Sequence, residues 1–419
     1  MRVLWLAGWY PHSQNPLGGN FVKRHFRALQ QMISENKGYQ INGIAESDIA
    51  NALAHNEISN THCELELYHF APYYKGDNIP KLLEEKTANP NTQNKSAVER
   101  IIPVLQFRGA FRALNVFYYY IKVIGVLISV LQRDWDIVHV HAADKIGFVA
   151  AVIKPYFRFQ LWLTEHWAIF GQEVPDAYEK RGWWFRFSYQ FMWKRVDWAA
   201  SISGQLYESM CSILGRSVER VNLENVLDDA FLDAIEKPLG FHPQKTPGFR
   251  FLHVSNGEDR KNVPFLIEAF VRFKSVNTEA ELILIGSTTH TQYAHINGVT
   301  ALGGLPLREL AAYYQNCDAL LLVSDAENAP CVILEALCFG LPVIVTQVGS
   351  IAQMCGVHNS IQIPPFQTHE EKAEKIHQAL LEYSLKNQTF DSMQIQQRAL
   401  EKYHPNVVAH VLLRAYENQ

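Results

Sequence analysis

Residues 324–349 read SDAENAPCVILEALCFGLPVIVTQVG. Glu327 and Glu335 bracket seven residues in the run ENAPCVILE, and Pro330 stands between them. Proline suits the first turn of a helix, because its missing N–H would have no intrahelical partner there. The following CVILEALCFG reads as a helix, and LPVIV reads as a buried strand that runs into a turn at Gly349. A helix start carries roughly half a positive charge and draws anions and polar oxygens toward its backbone amides. Here those amides belong to Asn328, Ala329 and Cys331. Glu335 lies more than one turn into the helix and Glu327 on the loop ahead of it, and both can accept hydrogen bonds from hydroxyl groups. Taken alone, the two acids read equally well as solvated helix-end glutamates.

The same strand–helix alternation runs through the chain. VLWLAG (3–8), DIVHVH (136–141), QLWLTEH (160–166) and DWAASIS (197–203) read as strands in the first half. After the Pro/Gly-rich stretch EKPLGFHPQKTPG the pattern restarts with FRFLHVS, ELILIGS, DALLLVS and PVIVTQVG, each followed by or following a helical run. Apolar strands alternating with amphipathic helices imply parallel sheets covered on both faces. The expected fold class is therefore α/β, with two Rossmann-like doubly wound domains facing a cleft. The expected boundaries are 1–235 for the first domain, 236–248 for a linker and 249–400 for the second domain. A final helix, 401–419, should pack back toward the first domain.

The bulk properties narrow the function. A chain of 419 residues exceeds a typical single core. A net charge of −4 excludes the strong basic surplus of a nucleic-acid binder. The six cysteines show no CxxC or zinc-like spacing, so free thiols in a reducing, cytoplasmic compartment are expected. LNVFYYYIKVIGVLISVL (114–131) is long enough to tempt a transmembrane reading. Lys122 in its middle favours a buried helix of a soluble domain instead. Arg108, Arg112 and Lys122 leave room for peripheral contact with an anionic membrane at its inner face.

Four further places offer chemistry. In HVSNGEDRKNVPFLIEAF (253–270), Arg260 and Lys261 follow a strand and open a helix, where cations can neutralise a diphosphate. By itself this reads as a solvated basic loop. In WYPHSQNPLGGNF (9–21), Gly18 and Gly19 would let backbone approach a ligand closely; the pattern is not GxGxxG. His166 follows a strand, where it could bond hydroxyls or move a proton. His139 and His141 alternate along a strand without a third ligand and read as packing residues. Asp134-Trp135-Asp136 lies at the wrong end of its strand for a ligand site.

With these residues in view, the chain resembles the retaining glycosyltransferases of family 4, which have the two-domain GT-B fold. The resemblance rests on Glu327–Glu335, Gly340-Leu341-Pro342, VIV and Val348-Gly349-Ser350, and extends upstream through GGLPLRELAAYYQNCDALLLVS. It implies a nucleotide-sugar donor, UDP- or GDP-linked, with no metal and no other cofactor. It implies that Glu335 binds the ribose, that Glu327 and the amides from Asn328 to Cys331 hold the transferred sugar, and that Lys261 meets the diphosphate. The family's usual arginine is replaced by Asn256, so Arg260 becomes the candidate for a second cation. The resemblance also places Gly19 over the donor phosphates and His166 in the cleft, and makes the segment ENVLDDAF structural. The acceptor it implies is a saccharide or lipid-linked hydroxyl in cell-surface polysaccharide or glycolipid synthesis. Two other readings share these residues: a GT-B sugar-nucleotide epimerase or phosphorylase, and a non-catalytic sugar-nucleotide-binding subunit. Oligomeric state and acceptor have no readable motif.

Overall fold

The computed structural model describes residues 1–11, 19–35, 63–74, 97–107, 114–171, 177–237 and 248–419. Gly18, Arg108, Arg112 and residues 238–247 of the expected linker lie outside them. The chain divides into two compact units, Met1–Val226 with Pro405–Gln419, and Leu227–His404.

The first unit holds seven strands: β1 (Arg2–Ala7), β2 (Glu64–Tyr74), β3 (Ala97–Gln106), β4 (Ile137–His141), β5 (Gln160–Thr164), β6 (Trp198–Ser201) and β7 (Glu219–Asn222). Their order is β3-β2-β1-β4-β5-β6-β7, and every recorded pairing is parallel. Side chains alternate along each strand. In β1, Val3, Trp5 and Ala7 enter one core, while Leu4 and Leu6 enter the core on the opposite face. A strand that is buried on both faces must be apolar throughout, which is why β1 and β4 read as unbroken hydrophobic runs.

The second unit holds β8 (Arg250–Val254), β9 (Glu281–Ile285), β10 (Val299–Ala301), β11 (Ala319–Leu322), β12 (Val343–Thr346) and β13 (Ser360–Ile363). The order is β10-β9-β8-β11-β12-β13, again parallel throughout. In both sheets the first strand of the unit sits centrally, and the chain runs outward to one edge before returning to the other side. The carboxyl ends of β1 and β4, and of β8 and β11, are therefore topological switch points. There successive loops diverge and leave a crevice.

Several expectations need correction. The boundary falls after Val226, not at 235, because the helix Asp229–Glu236 belongs to the second unit. Its Phe231 packs edge-on against Tyr314 and Phe339 at 5.7 and 5.8 Å. The second unit extends to His404, beyond the expected 400. Strands β2, β3, β7, β10 and β13 lie where no strand was expected. The helix Leu114–Leu131 is not a buried helix: only Val123, Leu127 and Leu131 are buried.

The helix Pro405–Glu417 packs on the helix Asn20–Glu35 within the first unit. Its Tyr416 is fully enclosed and joins a polar chain through an otherwise apolar core. Trp5 Nε1–H donates to the Tyr416 hydroxyl at 3.1 Å, and that hydroxyl bonds His139 Nδ1. His139 Nε2 reaches Thr164 Oγ1 at 2.7 Å. Burial holds His139 well below its ordinary pKa, so the ring is neutral and one nitrogen must accept. Tyr416→Phe would strand both the indole N–H and His139 Nδ1 in the core. The expected loss is about 2–3 kcal/mol, the cost of leaving buried polar groups unpaired, read from urea unfolding of the full chain.

Candidate active site

The loops that follow β8 and β11 meet at the switch point of the second sheet. After β8 the chain makes a short turn, Asp259–Lys261, and Asn262 then adopts left-handed backbone at φ 55° before the helix Val263–Val276. Asparagine tolerates that conformation better than most residues. The turn aims Lys261 at the second loop, where its ammonium pairs with Glu327 Oε1. Arg260 reaches the same carboxylate from the other side, Nη1 to Oε2 at 3.2 Å, and donates to the Ala326 carbonyl at 2.6 Å. Ser324 Oγ donates to Glu327 Oε1 at 2.7 Å. The Glu327 and Lys261 side chains are only 6% and 10% exposed. Desolvating such a pair costs several kcal/mol per ion before the attraction is counted. A buried, crowded ion pair in a crevice is a mark of ligand chemistry more than of stability.

Asn256 stands exposed beside this cluster. Its Nδ2 donates to Glu258 Oε1 at 2.5 Å, and Glu258 Oε2 accepts from Arg260 Nε at 2.5 Å. Asn256 is thus linked to Arg260 through Glu258 and makes no direct bond to Glu327 among the described residues. Arg260 is the second cation on Glu327.

The helix Cys331–Cys338 starts immediately after Pro330, which is the capping residue itself and not the first helical one. Glu335 is 4% exposed, and Tyr314 donates its hydroxyl to Oε2 at 2.9 Å. Gly349, at φ 58°, closes the loop from behind. A Cβ there would lie 1.8 Å from the Glu327 carbonyl oxygen, so only glycine permits the approach. Ser350 adds two bonds to the Asn328 carbonyl, from N at 3.1 Å and from Oγ at 2.5 Å. The structure therefore gathers Lys261, Arg260, Asn256, Glu327, Asn328, Ala329, Cys331 and Glu335 on connected loops and one helix of the second unit.

Gly19 and His166 belong to the first unit. Gly19, at φ 69°, packs directly on the Trp9 carbonyl, and its own carbonyl accepts from Val22 N at 3.0 Å. Phe21, two residues on, stacks on the His166 ring at 4.1 Å. Burial, followed by the charges of His25 and His139, holds His166 well below the ordinary histidine pKa. Asp136 Oδ2 accepts from Arg2 N at 2.7 Å, at the amino end of β4. Among the described residues no group of His, Cys, Asp and Glu could hold a metal ion, and all six cysteines are free thiols.

Three supports escaped sequence reading. Glu165 is buried, and its carboxylate accepts from the backbone of His166 at 2.8 Å and of Trp167 at 2.9 Å, as well as from Tyr189. It fixes the loop that carries His166. In the second unit, Lys372 bonds Asn262 Oδ1 at 2.9 Å and both Asp325 oxygens at 2.8 Å. Asn262 Nδ2 also donates to the Val323 carbonyl at 2.9 Å, so this trio ties the Lys261 loop to the Glu327 loop. The third is His253, wholly buried beneath the site, with Nδ1 on the Leu321 carbonyl at 2.9 Å and Nε2 on Ser255 Oγ at 2.8 Å. Two of the three have no local sequence signal: Lys372 is 110 residues from Asn262, and His253 is 68 residues from Leu321.

Residues 240–392 match the family described as "Glycosyl transferases group 1". The matched residues lie within the second unit and span both loops of the site. The whole chain is 24% identical over 403 residues to the "Putative teichuronic acid biosynthesis glycosyltransferase TuaC" of Bacillus subtilis strain 168, covering 91% of this chain and 89% of that protein. Sucrose-phosphate synthase from Thermosynechococcus elongatus superposes with a TM-score of 0.68 at 15% identity, covering 100% of this chain and 99% of the other. Anabaena HepE in complex with UDP-glucose does so with a TM-score of 0.60 at 16% identity and covers 100% of both chains. These likenesses give the fold, GT-B. With the match over residues 240–392 they support a glycosyltransferase.

His253 makes the site's foundation sensitive to acid. Burial lowers its pKa from 6.5 to about 4. Between those values the unfolded chain binds a proton that the folded chain refuses. The stability His253 contributes is therefore complete above pH 6.5 and is lost as pH falls toward 4. The expected loss from this residue is roughly 3 kcal/mol over that window. Denaturant unfolding at stepped pH should show a His253→Gln variant with a correspondingly shallower decline.

Proposed function

We propose that the chain is a retaining, metal-independent glycosyltransferase that moves a hexosyl group from a UDP- or GDP-linked donor to a hydroxyl of a saccharide or lipid-linked acceptor. The observation that carries this reading is the convergence of Lys261 and Arg260 on Glu327, one loop ahead of the helix that buries Glu335. Two cations beside a helix start suit a diphosphate. A carboxylate on the loop and another inside the helix suit the hydroxyls on either side of it.

In the proposed reaction the donor diphosphate competes with Glu327 for Lys261 and Arg260, since it carries the greater negative charge. Glu327, released, accepts hydroxyls of the transferred sugar together with the amides from Asn328 to Cys331. Glu335 accepts from the ribose. The acceptor oxygen forms its bond to the anomeric carbon on the face from which the diphosphate departs. The acceptor's proton passes to a leaving phosphate oxygen. Lys261 and Arg260 stabilise the charge that develops on that group as the sugar–oxygen bond breaks. The first unit would bind the acceptor, with His166 among its contacts. The UDP-glucose bound to HepE and the teichuronic acid role named for TuaC favour a uridine donor and a polysaccharide acceptor. Six free thiols fit a reducing, cytoplasmic setting.

Lys261→Ala should lower turnover by about 10²-fold, the scale of removing one preorganised electrostatic donor. Transfer measured with a panel of UDP- and GDP-sugars and extracted acceptors decides this, and near-normal turnover would remove Lys261 from the site. Glu335→Ala should weaken UDP or GDP binding by calorimetry while the folded fraction is unchanged; equal affinity in the variant would displace Glu335 from the ribose. Donor incubated without acceptor separates an epimerase from a transferase. Donor binding without transfer to any acceptor would favour a non-catalytic subunit.

A further inference from the structure

The first unit presents an outer surface at odds with a water-facing protein. The helix Leu114–Leu131 buries one stripe, Val123, Leu127 and Leu131, in the core. The opposite stripe repeats at helical spacing as Leu114, Phe117, Ile121 and Ile128, and all four are exposed, Phe117 by 66%. A helix that is apolar on both faces needs a second partner. Only 17% of its length is buried.

The surface continues across two more helices. Tyr120 meets Phe148 of the helix Asp144–Ile153 at 6.3 Å, and Phe148 meets Trp184 and Phe187 of the helix Trp183–Trp193 at 5.5 and 6.4 Å. Trp183, 72% exposed, Trp184 and Phe187 face outward there. Cations outnumber acids in the stretch that carries the tryptophans. Residues 177–195 carry Lys180, Arg181, Arg186, Lys194 and Arg195 against a single acid, Glu179. The helices Leu114–Leu131 and Trp183–Trp193 contain no acid at all. Exposed tryptophans beside aliphatic side chains and cations match the layering of a bilayer interface, where aromatic rings sit at headgroup depth and cations meet lipid phosphates. Spanning is excluded, because the Val123–Leu127–Leu131 stripe is committed to the core.

We propose that this three-helix face docks the protein on an anionic phospholipid bilayer, lying in the interface with the apolar stripe of Leu114–Leu131 and the Trp183–Phe187 cluster inserted. A docked enzyme of this kind would meet an acceptor displayed on that surface. The docking itself does not rest on the sugar-site reading.

The test uses the purified full chain and two vesicle compositions, phosphatidylcholine alone and phosphatidylcholine with phosphatidylglycerol. The wild type should sediment with the anionic vesicles, less with the neutral ones, and less again at raised salt. Its tryptophan emission should shift to the blue and be quenched by brominated lipid. A Phe117→Ser/Trp183→Ser/Phe187→Ser variant should bind about tenfold or more weakly, with unchanged circular dichroism. If that variant does not fold, Trp183→Ser alone should lose part of the bromolipid quenching. Lys261→Ala should bind vesicles like the wild type, which separates this surface from the sugar site. Absence of wild-type binding to anionic vesicles at low salt would overturn the proposal, as would equal binding by the folded variant. So would a wild-type dimer in sedimentation equilibrium that the variant reduces to a monomer, because a second copy would then be what covers the face.

Discussion

The ion pair between Lys261 and Glu327 is the interaction on which the candidate site depends. Two loops that leave adjacent strands in opposite directions, after β8 and after β11, are drawn together by it. An ion pair this deep is poorly stabilising by itself, since the desolvation of both partners offsets most of the attraction. It persists because the surrounding bonds are already made. Lys372, Asp325 and Asn262 fasten the two loops from below, and Arg260 and Ser324 supply the remaining partners of the carboxylate. The arrangement is preorganised for negative charge, and the cations have no conformational search to make when it arrives.

The two units solve the same topological problem with different chemistry. Both place their first strand centrally and open a switch point at its carboxyl end. The second unit fills that point with cations and carboxylates. The first fills its corresponding edge with rings: Trp5 packs edge-on to His139 and tilted on His141, Phe21 stacks on His166, and Glu165 bonds the backbone of the loop. Neutral, buried histidines give that unit polar groups without charge. They also make acid a common stress on both units.

Much of this was legible in advance, for definite reasons. Strands β1, β4, β5, β8, β9, β11 and β12 are central in their sheets, and a central parallel strand must be apolar on both faces, which is a signal a single sequence carries. Strands β2 and β3 lie to one side of β1 and mix charged with apolar residues, as in ELEL and AVERII, and β10 is only three residues long. Their pairing is made by neighbours remote in sequence. The helix Leu114–Leu131 was misread for a related reason. Composition reports how apolar a helix is, but it cannot tell a face turned to the core from one turned outward.

What the sequence determined by itself was the alternating architecture and the identity of the acids and cations, because those follow from periodicity and from residue chemistry within short windows. Glu327, Glu335 and Lys261 were visible in that way. What the tertiary structure decided was which groups share a carboxylate. Arg260 joins Lys261 on Glu327, Asn256 is linked to Arg260 through Glu258, Tyr314 holds Glu335, and Lys372 closes the clamp from 110 residues away. These depend on the order in which strands lie side by side in a sheet. That order is fixed by long-range packing and backbone pairing, which no local stretch of the chain encodes.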